Sequence, residues 1–417
     1  MIDPASGTDG LRDILTDGSR ILKIGESGSI EAPDKDARII EADGLTAAPG
    51  LVDTHVHFRD PGAEYKEDIF TGAKAAAAGG FTSVVLMANT TPHVDNEETL
   101  SYVIEKGKKT GIHVYTCANV TMDMAGDELT DMETLAKAGA VGFTDDGKPL
   151  LDAGLTRKAM QEAARLHMPI SFHEENPAFI VNNGINAGAV SEKLGLRGSD
   201  RQAEIDMVRR DLSIGLETGA DVVIQHISAK EAVELVRQAR RKSLRIHAEA
   251  TPHHFTLTED AVLKYGTLAK MNPPLRTEED REAIIEGLKD GTLDLIATDH
   301  APHSAEEKQK EFAKAPSGII GLETALSLGI SRLTDTGRLT LSELLACMTV
   351  NPARLYHLDA GYLAEGGPAD IVLFDAEEAW TPEQFCSKSQ NSPFLNQTMK
   401  GKVRYTVCSG KIVYECE

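Results

Sequence analysis

A repeating alternation of short apolar segments with longer amphipathic ones runs through the middle of the 417-residue chain. The apolar segments have the length and composition of buried strands, whereas the amphipathic ones have the period of helices. This alternation is typical of a parallel sheet with helical crossovers, and eight such units can close into a barrel. The predicted strands are residues 51–57, 81–88, 112–118, 140–143, 168–172, 221–225, 244–250 and 293–298.

Both ends of the chain show a different pattern, in which short strand-like pieces are separated by turns that contain glycine. We expect the two ends to pair into a small β-sandwich. The predicted domains are this sandwich, from residues 1–48 and 359–417, and an α/β barrel from residues 49–358. The predicted terminal strands are residues 20–25, 37–42, 369–375, 403–408 and 411–415. The predicted helices are residues 68–79, 97–111, 156–167, 199–218, 229–242, 278–290, 322–333 and 341–350.

The acidic composition limits the class of ligand. A formal net charge of -22 and a pI near 5.0 argue against nucleic acids and anionic membranes as partners, because binding to either needs clustered Lys and Arg. An anionic substrate must therefore be held by a few specific cations in a pocket.

The five cysteines are scattered without Cys-x-x-Cys spacing, so the sequence indicates neither a disulfide framework nor a thiolate zinc site. Since no signal segment or membrane-spanning apolar run is recognisable, we expect a cytoplasmic enzyme.

Side chains that bind metals follow five of the predicted strands, at the ends where barrels of this kind build their sites. His55 and His57 point to the same face of the first strand, because strand side chains alternate, and they can share one metal ion. Each residue alone also fits a packed core histidine or a polar turn, and the coincidence at five strand ends favours a metal site. Imidazole and carboxylate ligands in this number suit one or two zinc ions better than calcium or magnesium. The strand-end residues are His55, His57, Asp145, Asp146, His173, His226, Asp299 and His300.

Seven motifs give the chain a resemblance to a known family. They lie at residues 49–62, 87–92, 143–147, 251–254, 271–276, 297–303 and 321–324. Together they resemble the motifs of the bacterial dihydroorotases (class I type) of the amidohydrolase superfamily, and the resemblance runs almost from end to end. It implies a distorted (β/α)8 barrel with two zinc ions at its mouth and a cyclic amide as the substrate.

The resemblance also implies how the metals are held. An aspartate after strand four bridges the two ions in this branch, where many relatives carry a carboxylated lysine. Asp146 is the expected bridge and Asp145 is the alternative, since both are present. We expect His253, His254 and His300, near the same rim, either to support the metal ligands or to be structural. The implied ligands are His55, His57 and Asp299 for one ion and His173 and His226 for the other.

A further set of residues is implied around the substrate. The planar guanidinium of Arg59 matches a ring carboxylate, although an ion pair with Asp60 is an alternative for this side chain. Ser317 departs from the family, which usually has an aromatic residue just before Gly318, so contacts from backbone groups are expected there. The implied substrate-binding residues are His57, Arg59, Asn89, Asn272, His303, Ser317 and Gly318.

The function implied by the resemblance is reversible closure of N-carbamoyl-L-aspartate into L-dihydroorotate in pyrimidine biosynthesis, with Asp299 moving the proton. One alternative is a cyclic amidohydrolase of the dihydropyrimidinase, hydantoinase or allantoinase type, against which the missing strand-four lysine counts. Another is a non-catalytic scaffold for aspartate transcarbamoylase, against which the complete set of metal ligands counts. The expected partners are a small-molecule substrate and a second copy of the chain, and an association with aspartate transcarbamoylase is left open.

Overall fold

A computed structural model describes residues 1–32 and 37–416 of the chain. Strands alternate with helices through its middle and follow one another directly near both ends. The strands are β1 (Ile2–Asp3), β2 (Thr8–Asp9), β3 (Arg12–Asp17), β4 (Arg20–Glu26), β5 (Thr46–Pro49), β6 (Leu51–Val56), β7 (Phe81–Leu86), β8 (His113–Thr116), β9 (Phe143–Thr144), β10 (Ile170–Phe172), β11 (Val222–Ile224), β12 (Ile246–Ala250), β13 (Leu295–Ile296), β14 (Ile371–Trp380), β15 (Met399–Cys408) and β16 (Lys411–Glu415). The α-helices are α1 (Ile69–Ala78), α2 (Glu97–Gly107), α3 (Met132–Ala138), α4 (Ala153–Leu166), α5 (Ala189–Lys193), α6 (Gln202–Thr218), α7 (Lys230–Arg240), α8 (Pro252–Thr256), α9 (Ala261–Tyr265), α10 (Glu278–Lys289), α11 (Ala305–Lys308), α12 (Ala325–Gly329), α13 (Leu341–Met348) and α14 (Val350–Leu355).

The parallel strands of the middle region close into a barrel. β6, β7 and β8 form one run, and β9 to β13 form another. The runs join at both edges, because one parallel bridge pairs Ala118 with Phe143 and another pairs Val56 with His300. At the second junction the amide of His57 donates to the carbonyl oxygen of His300 at 2.9 Å. All eight predicted barrel strands are present, which confirms the predicted distorted (β/α)8 barrel.

The first barrel strand is fixed by the helix that follows it. The carboxylate of Asp68 accepts a hydrogen bond from the amide of Thr71 and so caps α1, satisfying a donor that the helix start leaves unpaired. The alanines of α1 are mostly buried against the barrel. Gly72 lies directly against the ring of Phe58, because a Cβ at this position would come within 2.3 Å of a ring carbon. This close contact holds the chain immediately after His57.

The two ends of the chain meet in a second, smaller layer. An antiparallel sheet has the strand order β16, β15, β14 and β5, so residues from both ends pair within it. The β3–β4 hairpin packs against this sheet around a separate small core, which confirms the predicted β-sandwich. We propose that it forms a domain with the boundaries given above. The buried residues of its core are Ile21, Leu363, Ala369, Ile371, Leu373 and Val407.

Some predicted elements differ from the structure. The prediction of a strand at residues 37–42 was wrong, because β4 pairs instead with β3 and leaves this segment without a strand partner. Ile40 and Ala42 still pack against the small core. The predicted helix at residues 322–333 begins only at Ala325 and continues from Ile330 as a π-helix. Among the described residues, none of the helices has the length and apolar character needed to cross a membrane.

Candidate metal centre

Four imidazoles surround the carboxylate of Asp146 at the C-terminal ends of the barrel strands. Oδ1 of Asp146 lies 3.4 Å from Nε2 of His55, 3.7 Å from Nδ1 of His173 and 3.6 Å from Nε2 of His226. Oδ2 of Asp146 lies 3.4 Å from Nε2 of His57. The side chains form two groups of three metal-ligand residues that share Asp146: one with His55 and His57, the other with His173 and His226.

Asp299 completes the first of these groups. Its Oδ1 lies 3.1 Å from Nε2 of His57 and 3.6 Å from Nε2 of His55. Asp299 and His226 have φ angles of 48° and 34°, in the left-handed region that non-glycine residues seldom adopt. Such conformations persist only where the surrounding structure enforces them, and they cluster at functional sites.

The site contains buried polar atoms that lack a hydrogen-bond partner. Nε2 of His55 and Oδ1 of Asp146 are both buried and unpaired in the described chain, although they lie 3.4 Å apart. Leaving such atoms unpaired is costly, so native structures satisfy almost all of them. A divalent cation between an imidazole nitrogen and a carboxylate oxygen would satisfy both atoms. The residues at this site therefore fit a bound metal ion.

The carboxylates at the site are held in their ionised form. Burial alone would raise the pKa of Asp146, but the charge of His55 and the nearby imidazoles of His173 and His226 outweigh burial and hold that pKa well below its usual range. Asp299 is buried as well, and His57 and His55 lower its pKa in the same way. Ionised carboxylates are the form that binds cations and accepts protons.

Asp145, the alternative bridging residue, faces a different part of the structure. Its carboxylate accepts hydrogen bonds from the backbone amides of Val120 and Thr121, from the hydroxyl of Thr121 and from the side-chain amide of Asn119. Burial raises the pKa of Asp145. Asp145 thus braces the loop after β8, whereas Asp146 is the neighbour that contacts the histidines.

Three polar side chains orient three of the four imidazoles, each by contacting the ring nitrogen that does not face Asp146. Oε2 of Glu249, on β12, lies 2.9 Å from Nδ1 of His55. Oε2 of Glu175 lies 3.3 Å from Nε2 of His173, and Oδ1 of Asn89 lies 3.1 Å from Nδ1 of His57. Each contact occupies one ring nitrogen and leaves the other directed at Asp146, as in metal sites where a second residue fixes the ligand histidine.

The sequence pattern gave no indication of Glu249, and Glu175, which stands with Glu174 and Asn176 after the fifth predicted strand, was assigned no role. The available signal in the sequence was an acidic residue between two alanines of a predicted strand, at Glu249, and an acidic residue two positions after His173. Two of the rim histidines contact backbone groups: Nε2 of His254 donates to the carbonyl oxygen of Pro273, and Nδ1 of His300 accepts from the amide of Gly321.

A cavity of about 420 Å³ opens directly beside the metal-ligand groups. Arg59 lies in its wall and makes no ion pair with a carboxylate of the described residues, and its side chain donates through Nε to the carbonyl oxygen of Pro302 at 3.3 Å. The alternative pair with Asp60 does not form, because the Asp60 carboxylate binds Lys106 at 2.7 Å. The other predicted substrate-binding residues in the wall are His57, Asn89, Asn272, Ser317 and Gly318.

His303 contacts a residue of the cavity wall from the side away from the cavity. Burial and the nearby charges of Arg59, Lys66 and Lys308 lower the pKa of His303 to about 2, so its ring is neutral. Its Nε2 donates to the carbonyl oxygen of Ser317 at 2.8 Å. His303 therefore supports the segment that carries Ser317 without itself lining the cavity.

Comparison with known proteins assigns the chain to a family. The pattern that defines the amidohydrolase family matches residues 46–413. A dihydroorotase of Clostridioides difficile (strain 630) is 55% identical over 414 residues, which cover 99% of this chain and 98% of that protein. A dihydroorotase of Lactococcus lactis subsp. lactis (strain IL1403) is 52% identical, with coverage of 100% and 98%. The chain belongs to the dihydroorotases of the amidohydrolase family.

Membership of the amidohydrolase family confirms the resemblance seen in the motifs and makes the chain a hydrolase. A solved structure shares the fold: the L-hydantoinase (dihydropyrimidinase) from Arthrobacter aurescens has a TM-score of 0.87 and 25% sequence identity, with 99% of this chain and 94% of that chain covered. Since that amidohydrolase is named for a different ring, the fold alone does not select the substrate, and the residues of the cavity must do so.

Proposed function

We propose that this protein is a zinc-dependent dihydroorotase that interconverts N-carbamoyl-L-aspartate and L-dihydroorotate. The observation that carries the proposal is the set of four histidines around Asp146, with Asp299 beside them and a cationic residue, Arg59, in the same cavity. Imidazole and carboxylate groups suit zinc, and Asp146, which belongs to both groups of ligand residues, would be shared between two ions. The identity of 55% to a named dihydroorotase supports the choice of substrate.

Arg59 is the proposed binding group for the substrate carboxylate. Its guanidinium lies in the cavity wall without a carboxylate partner in the described chain, so it can form a charge-assisted pair with an anionic ring. The side-chain amides of Asn89 and Asn272 lie in the same wall and can orient the ring amides. We propose that the backbone at Ser317 and Gly318, supported by His303, forms the remaining side.

Asp299 is the proposed proton carrier. Bound zinc would supply Lewis-acid chemistry, since it polarises a carbonyl oxygen and lowers the pKa of water from about 15.7 toward about 7. In hydrolysis, the ionised Asp299 accepts a proton from the attacking water and gives it to the ring nitrogen as the carbon–nitrogen bond breaks. In closure, Asp299 takes a proton from the carbamoyl nitrogen and passes it to the departing oxygen. Closure consumes one proton overall, so acid favours the ring.

The test of the proposal combines two measurements on one preparation. Zinc content is determined by elemental analysis, and hydrolysis of dihydroorotate is followed by the loss of the ring. We expect two zinc ions per chain and hydrolysis that is lost when a chelator removes them. A preparation without zinc and without hydrolysis would instead support the non-catalytic scaffold for aspartate transcarbamoylase.

A hydantoinase-type activity is the rival function, and the solved fold relative is the observation that favours it. The rival substrates are uncharged cyclic ureides, which offer Arg59 no carboxylate. Parallel assays with hydantoin, dihydrouracil and dihydroorotate separate the two functions. We expect turnover of dihydroorotate alone, whereas faster turnover of an uncharged ring would support the rival.

Three expectations about the cellular setting stay predictions: a homodimer, an association with aspartate transcarbamoylase and a cytoplasmic location. Sedimentation of the purified chain, alone and mixed with that enzyme, tests the first two. A single species at the mass of one chain would contradict the homodimer.

A further inference from the structure

A second cluster of metal-ligand side chains lies outside the candidate active site. His113, Asp370 and Cys408 each offer one ligand atom, and these atoms all lie within 4.8 Å of one another. Nε2 of His113 is 3.0 Å from Oδ2 of Asp370. We call these three residues the His113 cluster. Nothing in the spacing of the cysteines indicated it, because the three residues come from distant parts of the chain.

The surrounding backbone fixes the direction of the ligand atoms. Oδ1 of Asp370 accepts a hydrogen bond from the amide of Ser409 at 2.7 Å, which leaves Oδ2 directed at His113. Sγ of Cys408 has a long contact of 3.7 Å to the carbonyl oxygen of Thr82. Asp370 and Cys408 are buried, whereas the side chain of His113 is 34% exposed. A cation can therefore reach the cluster from the His113 side.

We propose that the His113 cluster is a second metal site, which binds a zinc ion through Nε2 of His113, Oδ2 of Asp370 and Sγ of Cys408. One imidazole, one carboxylate and one thiolate form a ligand set that suits zinc, whereas magnesium and calcium prefer oxygen ligands alone. With three protein ligands, the fourth tetrahedral position is left for water on the exposed side.

The position of the cluster indicates a structural role for the ion. His113 begins β8 of the barrel, Asp370 directly precedes β14, and Cys408 ends β15 of the terminal sheet. The proposed active site follows the opposite, C-terminal ends of the barrel strands. An ion at the cluster would thus join the barrel to the terminal sheet, far from the catalytic chemistry. Binding to the folded chain alone stabilises it in proportion to the logarithm of metal concentration.

Cobalt substitution provides a direct test, because none of the proposed active-site ligands is a cysteine. Thiolate-to-cobalt charge-transfer absorption therefore reports only a site that contains Cys408 or another thiol. The starting protein for all variants has the two least buried thiols, Cys386 and Cys416, replaced by serine, and we call it the background protein. Titration with Co²⁺ alone is expected to give this absorption, saturating at about one ion per chain beyond those at the active site.

The variants decide where the ion binds. Cys408→Ser is expected to abolish the absorption, and His113→Ala is expected to weaken cobalt binding at least about 10-fold, the lower end of the effect of losing even an indirect metal partner. Cys347→Ser removes another buried thiol elsewhere and should leave the absorption unchanged. Dihydroorotate turnover checks that each variant is folded. Absence of the absorption in the background protein, or its persistence in both Cys408→Ser and His113→Ala, would overturn the proposal and leave a His113–Asp370 ion pair.

Discussion

Oε2 of Glu249 lies 2.9 Å from Nδ1 of His55 inside the barrel. Oε1 of the same carboxylate accepts a hydrogen bond from the hydroxyl of Thr54 at 3.3 Å, so both oxygens are engaged. The contact occupies one nitrogen of the His55 ring and directs the other, Nε2, at Asp146. Glu249 thereby orients a proposed metal ligand without itself belonging to the proposed ligand set.

Glu249→Gln is expected to weaken zinc binding by about 10- to 100-fold, because an amide orients the imidazole less strongly than a carboxylate does. The affinity is measured by competition with a chelator of known strength. Glu98→Gln, at an exposed position of α2, is the matched control and should bind zinc normally. Unchanged zinc affinity in Glu249→Gln would show that His55 is oriented by other contacts.

Asp145 and Asp146 are neighbours with opposite expected effects. Asp146→Asn should lose bound zinc and activity together, because this carboxylate contacts all four histidines. Asp145→Asn should keep its zinc and lose about 1–3 kcal/mol of unfolding free energy, since its buried hydrogen-bond donors lose a charged acceptor. Elemental analysis and chemical denaturation of both variants check this. The reverse pattern would make Asp145 the bridging residue.

Arg59→Ala is expected to raise the KM for dihydroorotate by about 10- to 100-fold, which corresponds to losing a charge-assisted contact of about 1.5–3 kcal/mol. The value of kcat should change much less, because the guanidinium binds a part of the substrate that does not react. Steady-state kinetics with dihydroorotate separates the two constants. A loss confined to kcat would contradict the proposal that Arg59 binds the substrate carboxylate.

We expect Lys308 to make the stability of the protein depend on pH. It is buried, and its Nζ donates to the carbonyl oxygens of Pro316 and Gly318. Burial and the charge of Lys270 lower the pKa of Lys308 to about 7. Between that value and the usual lysine pKa the unfolded chain binds more protons, so this group makes the unfolding free energy rise with pH, by at most about 1.4 kcal/mol per pH unit.

Lys308→Met should remove this rise, whereas Lys310→Met, at an exposed position nearby, should retain it. Denaturant unfolding of the three proteins at pH 7 and at pH 9 measures the difference. Parallel curves for the native protein and Lys308→Met would mean that Lys308 stays protonated in the folded state.

The sequence predicted the parts of the site that depend on strand period and position. His55 and His57 share a face because strand side chains alternate, and the other ligands follow strand ends, where a parallel barrel brings them together. The choice between Asp145 and Asp146 depends on the backbone direction after a strand of two residues, which no local pattern encodes. Glu249 was missed because a single acidic residue in a strand has no periodic signature.

The terminal regions were harder to predict for a related reason. Residues 37–42 have the composition of a strand, but a strand forms only where another strand offers an unpaired edge. The sequence does not show which edges are unpaired, whereas the structure shows that β4 pairs with β3. The His113 cluster shows the same limit, since His113, Asp370 and Cys408 approach one another only after the barrel and the terminal sheet have packed together.

Turnover of zinc-loaded Asp299→Asn in both directions tests the proposed active site most directly. The amide keeps an oxygen that can bind zinc but cannot carry a proton at the required pKa, and proton transfer by a positioned side chain contributes about 10²- to 10⁴-fold. With zinc content confirmed, hydrolysis and ring closure should both fall by at least about 100-fold. Near-normal turnover in either direction would contradict the role of Asp299 and, with it, the proposed site.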